Sequence, residues 1–571
     1  MRDKREFYSM LMEISGKDPS EYSRLVGDFD FSRYVLKISN IAPDSVSSPV
    51  LFIVRVPQTI AGFPDNSFDT PVRRTALEDF LTRKVSEHID QLAEYDSQGV
   101  SRRHLSIAIP GQKILPRTSL LVTEEYVEAR LYVKLPQTNG RIDAERVKGI
   151  FFDELASIVN TALVYCNLDE RELTEFVDVM EDADQIRQSL PTRGLLGFVA
   201  IGSMLARMGK TDYPEYNAVT PLTMDESIQV EIEVPNAGTV KGLGIPNGVT
   251  LILGDDYSGR IELMRALAAG IYNHIPGDGR ELAITVPDAV HISAEAGRSI
   301  QKVDISPFVR ATSEGGSTTT FTAEESDPCS AQAAATVEAL EVGARALLFD
   351  ESDACPAFLT ADARLDGLLP DQNRRVIPLS QRARQIADDL GVSLVIAGSA
   401  SIAEFLPLAD TILRIDGFKV EDITQQAKSM DMSKFEVDAV NEPMADLLER
   451  NRYVVPSSID PSKGTSDQLI EADTADFLRF GRGVIELMNT TQLADKFQTS
   501  TIGVILYYAK LRYMDESRPI REIMDLIDRD LGTEGLECLS RDLRGDLARP
   551  RRYEIAAALN RLTSLRISHI E

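Results

Sequence analysis

Hydrophobic and polar positions change their spacing along the chain, and this change separates predicted strands from predicted helices. In the first third, the runs YVLKISNI (34–41) and PVLFIVRVP (49–57) are rich in β-branched residues and predict strands. Residues 73–95, RRTALEDFLTRKVSEHIDQLAEY, carry apolar side chains three and four positions apart, which predicts an amphipathic helix. A second helix is predicted over 151–166. These elements predict an α+β N-terminal domain.

From about residue 240, short apolar runs alternate with helical stretches. The runs predicted as strands are GVTLILG (248–254), ELAITVP (281–287), ARALLFDE (344–351) and VSLVIAGS (392–399). The stretches predicted as helices are SAQAAATVEALEVG (330–343) and SQRARQIADDLG (380–391). Strands that alternate with helices of this length favour an α/β fold, with a parallel or mixed sheet flanked by helices.

Towards the C-terminus the chain is predicted to be mostly helical. The clearest amphipathic stretches are 521–532 and 551–567. A Pro- and Thr-containing stretch at 212–223 is predicted to be a linker. The sequence therefore predicts three domains: an α+β domain (1–215), an α/β core (216–430) and a mostly helical domain (431–571).

Composition agrees with a folded chain of more than one domain. The 571 residues exceed the roughly 250–300 at which single hydrophobic cores stop growing. Apolar residues at 43% and charged residues at 26% are typical of soluble globular proteins. The formal net charge of −28 repels polyanions unless basic residues cluster locally. Composition alone therefore argues against nucleic acid as a partner.

Cysteine usage and the apolar runs predict the compartment. Cys166, Cys329, Cys355 and Cys538 lie far apart and form no CxxC pair, so we expect thiols and neither a disulfide framework nor a zinc site. The charged N-terminus lacks the apolar core of a signal peptide. The longest apolar run, at 195–205, is shorter than the ~20 residues that span a bilayer. We expect a cytoplasmic protein without a membrane partner.

The segment GDDYSGRI (254–261) has the spacing of a phosphate-binding loop, G-x-x-x-x-G-K-[ST]. Arg260 replaces the lysine, and its planar fork is not equivalent to a compact ammonium. Ile261 replaces the hydroxyl that ligates Mg²⁺, and a hydrocarbon cannot ligate a hard cation. Asp255 and Asp256 add carboxylates where a polyphosphate would lie. The alternative interpretation is a strand–turn–helix corner without a ligand.

The run ARALLFDE ends in the acidic pair Asp350-Glu351. In nucleotide hydrolases an aspartate at this place supports Mg²⁺, and the following glutamate polarises the attacking water. Taken alone, an acidic pair after a buried strand is also typical of a solvated strand end. Its place after GDDYSGRI favours the nucleotide interpretation.

Several segments together resemble the ATPases of the ABC class, a family of P-loop ATPases that are not attached to membrane transport domains. The most specific is GIYNHIPGDGRE (270–281), which matches the family's G-V-Y-N-H-I-P-G-D-G-R-E. The other matching segments are 111–142, 234–254, 304–308, 332–344, 347–351 and 548–567. The resemblance implies an ABC-type P-loop core, ATP with Mg²⁺ as cofactors, and a homodimer whose second subunit completes each nucleotide site.

The chain departs from the family at the residues that would face the phosphates. The family loop is similar to G-G-G-Y-H-G-K-S, so Tyr257 and Gly259 agree while Arg260 and Ile261 do not. The family's signature segment, A-S-G-S-T-S-Q-A-A, is SDPCSAQAA (326–334) here, and Pro328 replaces a glycine whose backbone N–H would reach the γ-phosphate. By resemblance, the phosphate-facing residues are Gly254, Tyr257, Ser258, Gly259, Arg260 and Ile261. The signature residues are Asp327, Pro328, Cys329, Ser330 and Gln332.

Three hypotheses follow. In the first, the nucleotide site is degenerate and the protein is a pseudo-ATPase that works as a binding or assembly module. In the second, the protein is an active ATPase in which Glu351 orients water, Asp350 holds Mg²⁺, and Arg260 holds the phosphates. In the third it contacts RNA, through short basic runs at 102–104, 374–375 and 549–552. Because Pro328 alters the signature segment, any homodimer is expected not to depend on ATP.

Overall fold

The computed structural model describes residues 1–41, 48–93, 103–209, 211–217, 220–311, 316–361, 375–435, 440, 442–444, 450–464 and 468–570. The chain divides into two compact units. One unit is Met1–Glu181 with Leu536–Arg549, and the other is Asp182–Gly535 with Pro550–Glu571. The three predicted domains, 1–215, 216–430 and 431–571, remain a proposal.

The first unit contains a mainly antiparallel sheet and helices. Its strands are β1 (Arg2–Asp3), β2 (Gly27–Asp30), β3 (Val35–Ile38), β4 (Val50–Pro57), β5 (Leu105–Ser106), β6 (Lys113–Ile114), β7 (Leu120–Val122), β8 (Tyr126–Val133), β9 (Gln137–Thr138) and β10 (Arg141–Ile142). Its helices are α1 (Lys4–Glu13), α2 (Gln58–Ala61), α3 (Pro71–Leu92), α4 (Ala144–Lys148) and α5 (Leu155–Ala162). The sheet order is β1-β2-β3-β4-β8-β5, with β7 also paired to β8.

Local sequence explains the main elements of this unit. The run 49–57 becomes β4, which pairs with β8 from Val50 opposite Val133 to Pro57 opposite Tyr126. Helix α3 begins after Thr70, whose side chain caps the first turn, with Pro71 at its first position. A π-helical turn, Gly149–Glu154, joins α4 to α5, so the helix predicted at 151–166 starts earlier and α5 ends at Ala162. The predicted α+β character of this region is confirmed.

The second unit carries the α/β core. Helix α6 (Glu170–Ser189) leads into it. Its strands are β11 (Leu195–Ala200), β12 (Thr223–Met224), β13 (Gln229–Val234), β14 (Gly238–Pro246), β15 (Val249–Leu253), β16 (Asn273–His274), β17 (Ala283–Thr285), β18 (Ala289–His291), β19 (Ile300–Val303), β20 (Phe321–Ala323), β21 (Ala346–Asp350), β22 (Ser393–Gly398), β23 (Thr411–Asp416), β24 (Lys419–Asp422), β25 (Arg452–Val454), β26 (Ile470–Ala472), β27 (Phe477–Phe480), β28 (Gly483–Glu486) and β29 (Ile567–Ile570). Its further helices are α7 (Arg260–Ala269), α8 (Pro328–Glu341), α9 (Pro356–Leu359), α10 (Ala383–Asp388), α11 (Thr424–Lys428), α12 (Lys496–Arg512), α13 (Ile520–Thr533) and α14 (Arg552–Arg561).

The central sheet of this unit has the order β12-β24-β23-β15-β22-β21-β18. Strand β15 is parallel to β22 and β23, and β21 is parallel to β22 and β18, while β23 and β24 are antiparallel. In register, Leu253 lies opposite Gly398 and Asp350 opposite Ala397. The loop after β15 and the acidic pair after β21 therefore meet at one edge of the sheet, where ligands of such sheets bind. The predicted mixed sheet flanked by helices is confirmed.

Alternation of side chains along these buried strands divides the core between the two faces of the sheet. One face packs on α8 and is formed by Leu251, Leu347, Phe349, Leu394, Ile396, Ala333 and Leu340. The other face packs on α7 and is formed by Ile252, Leu348, Val395, Ala397, Leu263, Met264 and Leu267. Strand β15, which leads into the loop before α7, is therefore packed on both faces.

Residues 195–200 of the apolar run at 195–205 form β11, which belongs to a second sheet, β13-β14-β11-β17. Strand β11 is fully buried and pairs antiparallel with β14 and β17, which explains its continuous hydrophobicity. Among the helices of the described residues, none is long and apolar enough to cross a membrane.

The C-terminal region contains the predicted helices and also strands. Helices α12, α13 and α14 carry most of it, and β26, β27 and β28 form a small antiparallel sheet. The helix predicted over 551–567 is too long, because α14 ends at Arg561 and Ile567 begins β29, which pairs with β25. Helix α10 is likewise shorter than the predicted 380–391. At the C-terminal end of the chain, the pairing of β29 with β25, which is distant in sequence, therefore replaces the last part of the predicted helix.

Candidate functional site

The loop between β15 and α7 needs glycine at both ends. A Cβ on Gly254 would lie 2.4 Å from Ser258 Oγ and 2.8 Å from the carbonyl oxygen of Ile415, so a larger residue does not fit. Gly259 has φ +98°, and a Cβ there would lie 2.8 Å from the Phe418 ring. Both glycines of the predicted frame therefore have a steric role at this turn.

Part of the loop's backbone hydrogen-bonding capacity is used within the loop. The Ser258 hydroxyl donates to the Asp255 carbonyl at 2.7 Å and accepts from the Arg260 N–H at 3.3 Å. The Ser258 N–H also donates to the Asp255 carbonyl, at 3.1 Å. By contrast, the N–H groups of Asp256, Tyr257 and Gly259 have no hydrogen-bond partner among the described residues. These three donors remain available to an anion.

Arg260, the first residue of α7, is the central side chain of the site. It is only 1% exposed. Its Nη1 donates to Asp350 Oδ1 at 2.7 Å, and its Nη2 donates to Asp256 Oδ1 at 3.0 Å. The guanidinium thus joins the loop to the end of β21. Its charge is neutralised by carboxylates of the chain itself.

Asp350 is buried at the end of β21. Besides Arg260, its Oδ1 accepts the N–H of Ser352 at 2.8 Å. Its Oδ2 and the Nε of Arg260 are buried and have no hydrogen-bond partner in the described part of the chain. One carboxylate oxygen of the acidic pair is therefore unused.

Glu351 is held by the end of β22. Its Oε2 accepts the Ser399 N–H at 2.6 Å and the Ser399 hydroxyl at 2.9 Å, and its Oε1 accepts the Ser401 hydroxyl. Burial raises the pKa of Glu351, but these hydrogen bonds and the charge of Arg260 lower it more, so the pKa lies below its ordinary value. A carboxylate with engaged oxygens and a lowered pKa is a weak general base.

The segment that resembles the ABC signature (326–334) forms the start of α8. Asp327 caps this helix, and its Oδ1 accepts the N–H groups of Cys329 and Ser330, each at 3.0 Å. Pro328 occupies the first helical position, where its missing N–H costs nothing. The helix N-terminus, which would otherwise attract an anion, is thus already occupied by a carboxylate.

The structure corrects the expectation that every cysteine remains a thiol. Cys329 and Cys355 form a disulfide, with their Cα atoms 5.5 Å apart, while Cys166 and Cys538 are free cysteines. The prediction was wrong for this pair because it considered spacing in sequence only. The parallel sheet brings the start of α8 beside the loop that follows β21.

Gln332 strengthens the same connection. It is fully buried on α8, and its Oε1 accepts the Cys355 N–H at 2.8 Å. The signature segment and the loop after Glu351 are therefore joined by a covalent bond and a hydrogen bond. Of the other predicted residues, Tyr257 is 98% exposed, whereas Ile261 is half-buried.

Sequence reasoning missed three residues of the site: Ser399, Ser401 and Phe418. The serines follow the apolar run of β22, and small polar residues at the end of a buried strand were the available signal. Phe418 has φ +63° in the turn between β23 and β24, and its N–H donates to the Ser258 carbonyl at 2.9 Å. Nothing in the local sequence indicated this contact, because a phenylalanine rarely adopts that conformation.

The loop offers Mg²⁺ fewer oxygen ligands than an ordinary phosphate-binding loop. A magnesium ion needs oxygen ligands, and Ile261 supplies none. The Oδ1 of Asp350 is already paired with Arg260, a cation that competes with any metal. Across the described ranges, no three His, Cys, Asp or Glu side chains are grouped so that they could hold a metal ion.

The basic runs form contacts within the protein. Arg103 pairs with Asp90 at 2.8 Å. Arg551 donates to Glu554 and to the carbonyls of Pro287 and Ala289. Residues 102 and 374 lie outside the described residues. Arg103 and Arg551 are therefore engaged in contacts within the protein.

Comparison with known proteins agrees with this fold. Residues 169–450 match the family model of the ABC ATPase P-loop domain, and residues 4–166 match the model described as ATPase of the ABC class N-terminal. Residues 470–568 match the MRB1590 C-terminal domain.

A relative from Methanocaldococcus jannaschii, the uncharacterized protein MJ1628, is 32% identical over 108 residues. The match covers 18% of this chain, and the chain spans about a quarter (24%) of the length of that relative. With its fold, its loop after β15 and the matches to the P-loop and N-terminal models, the chain belongs to the family of ABC-class ATPases.

Proposed function

We propose that this ABC-class protein is a pseudo-ATPase, which binds nucleotide weakly or not at all and acts as a binding or assembly module. The observation that carries the proposal is the buried Arg260, whose guanidinium is paired with Asp350 at 2.7 Å and with Asp256 at 3.0 Å. A cation neutralised by two carboxylates has little charge to offer to phosphates. Any phosphate in the loop would also have to separate these pairs.

The start of α8 supports the same function. In the family this segment completes the partner's nucleotide site, and it does so through backbone N–H groups. Here Asp327 occupies two of these donors and Pro328 has none to give. A carboxylate at this place repels a γ-phosphate. We therefore propose a homodimer that does not depend on ATP, to be tested by light scattering with and without ATP.

A second candidate function is slow ATP hydrolysis, which is favoured by hydrogen-bonding groups at the site that have no partner in the described part of the chain. The N–H groups of Asp256, Tyr257 and Gly259 have no partner among the described residues, and Asp350 Oδ2 is likewise unused. In this alternative Asp255 or Asp256 supplies the oxygen that Ile261 lacks. Glu351 then orients the water. Its lowered pKa argues against an efficient base.

The test is calorimetric titration of ATP, with and without Mg²⁺, into the wild-type protein and the double variant Arg260→Lys/Ile261→Ser. The double variant restores the ammonium and the hydroxyl of an ordinary loop. We expect no binding below millimolar ATP for the wild type and measurably tighter binding for the variant. Arg414→Ala is a matched control, because Arg414 is an exposed arginine paired with Glu421.

Tight ATP binding by the wild-type protein would contradict the proposal. Micromolar binding of ATP by the wild type, lost in Arg260→Ala and retained in Arg414→Ala, contradicts the pseudo-ATPase. Turnover that disappears in Glu351→Gln then establishes the active enzyme.

A further inference from the structure

An open cavity of about 400 Å³ lies at the amino edge of the central sheet. Arg345 directly precedes β21 and Val392 directly precedes β22, so this edge is opposite the one that carries the loop after β15. The C-terminal end of α8 forms another wall. The cavity is thus separate from the candidate nucleotide site.

Three arginines line this cavity: Arg345, Arg521 and Arg552, against one carboxylate, Asp525. The chain as a whole carries a net charge of −28, with 89 acidic residues against 61 basic ones. In such a chain most arginines find a carboxylate nearby. A concave surface with an excess of guanidinium groups is therefore a local exception that attracts anions.

The arginines are held in different ways. Arg521 Nε donates to the Glu341 carbonyl at 2.7 Å and Nη2 to the Leu340 carbonyl at 3.3 Å, which fastens it to the end of α8. Arg552 is paired with Asp525 and, at 2.9 Å, with Asp528. Two of the guanidinium groups are therefore positioned before any ligand arrives, which reduces the entropy lost on binding.

Neither Arg345 nor Arg521 forms a close ion pair with a carboxylate of the described residues, although Asp288 interacts with Arg345 at longer range. Arg345 is exposed, and its side chain forms no hydrogen bond or ion pair with any described residue. Arg521 contacts carbonyl groups only and has no carboxylate partner in the described part of the chain. Both cations consequently retain the capacity to bind an anion, unlike Arg260.

The rest of the lining is apolar or has its backbone N–H groups already bonded. The walls contain the apolar side chains of Leu340, Val342, Leu390 and Val392. The N–H groups of Val342, Gly343 and Ala344 are already bonded to carbonyls of α8, so the polar contacts to a ligand must come from the arginines. Planar guanidinium groups bind the oxygens of phosphate in bidentate geometry.

We propose that this cavity binds a small phosphate-bearing molecule through Arg345 and Arg521, while Arg552, paired with Asp525 and Asp528, forms part of the wall. The phosphate lies between the guanidinium groups, and the apolar walls contact whatever the phosphate is attached to. A long polyanion is disfavoured, because Asp525 and Asp528 flank the arginines and the remaining charge of the chain is strongly negative.

The test is calorimetric titration of inorganic phosphate, pyrophosphate and glycerol 3-phosphate at low salt into the wild type, Arg345→Ala and Arg414→Ala. Arg345 is exposed and unpaired within the described residues, so its removal leaves the fold intact. We expect a loss of affinity of about tenfold or more in Arg345→Ala, the effect of one charge-assisted hydrogen-bonding group, and no loss in Arg414→Ala. Tighter binding of glycerol 3-phosphate than of inorganic phosphate identifies an ester as the ligand, and equal binding identifies free phosphate.

Other outcomes overturn the proposal. Arg521→Gln must also weaken binding, and Arg260→Ala must not, because Arg260 lies at the opposite edge of the sheet. Binding lost in Arg260→Ala but retained in Arg345→Ala assigns the anion to the loop after β15. Absence of binding at millimolar anion, or binding of an RNA oligonucleotide alone, rules out a small-anion cavity.

Discussion

The guanidinium of Arg260 lies 2.7 Å from the carboxylate of Asp350, and both side chains are almost fully buried. In a working P-loop the equivalent cation faces the phosphates. Here the pair connects the start of α7 to the end of β21 and fills the place between them. Both side chains are thereby engaged within the protein, which agrees with the proposed loss of nucleotide chemistry.

The first prediction concerns this ion pair. Arg260→Ala leaves Asp350 buried and unpaired, so we expect a loss of about 3 to 5 kcal/mol in the free energy of unfolding. The double variant Arg260→Ala/Asp350→Asn should lose less than the sum of the single variants. Urea denaturation of the four proteins measures this coupling. Additive losses would show that the pair does not interact.

The second prediction concerns Glu351 and pH. The pKa of Glu351 is lowered in the folded protein, because hydrogen bonds from Ser401 and Ser399 and the charge of Arg260 outweigh the effect of burial. A lowered pKa stabilises the fold above the unfolded pKa of about 4.5, and this contribution is lost as pH falls through the folded pKa. Ser401→Ala should therefore destabilise the protein more at about pH 6 than at about pH 3.

Thermal denaturation across this range measures the difference, with Ser429→Ala as control. The Ser429 hydroxyl donates to the Gln426 carbonyl and not to a carboxylate, so its effect should not change with pH. A pH-independent effect of Ser401→Ala would contradict the prediction.

The third prediction concerns the disulfide. The bond between Cys329 and Cys355 closes a loop with a sequence separation of 26, so its removal should cost about 3 kcal/mol. Cys355→Ser is the variant, and Cys166→Ser is the control because Cys166 is an exposed free cysteine. Mass spectrometry after alkylation should find Cys329 and Cys355 protected until a reductant is added. Alkylation of either residue without reductant would exclude the bond.

The fourth prediction concerns the helix cap at the signature segment. Asp327→Ala should lower stability by about 1 kcal/mol, whereas Asp327→Asn should be nearly neutral, because asparagine caps as well as aspartate. On the pseudo-ATPase proposal neither variant changes the oligomeric state in the presence of ATP. Differential scanning calorimetry and light scattering provide the two measurements. An equal loss in both variants would assign the effect to charge.

Much of the fold could be predicted from local pattern. The runs at 249–253, 346–350 and 393–398 are buried on both faces, and such strands are continuously apolar, so β15, β21 and β22 were found. The end of α14 and the strand β29 could not be predicted in this way. Strand β29 forms by pairing with β25, which is distant in sequence, so local pattern does not indicate it. The loop between β15 and α7 could be predicted from the spacing of Gly254 and Gly259. Both positions require glycine, because a Cβ at either one would clash with neighbouring atoms.

By itself, the sequence determined which residue types stand at the phosphate loop and the signature segment, since Arg260, Ile261 and Pro328 can be read directly. It determined the family in the same way. Only the tertiary structure decided what these residues contact: Arg260 with Asp350, Ser399 with Glu351, and Cys329 with Cys355. These contacts join segments 26 to 90 residues apart. Local pattern carries no information on such pairs, because the parallel register of the sheet brings them together.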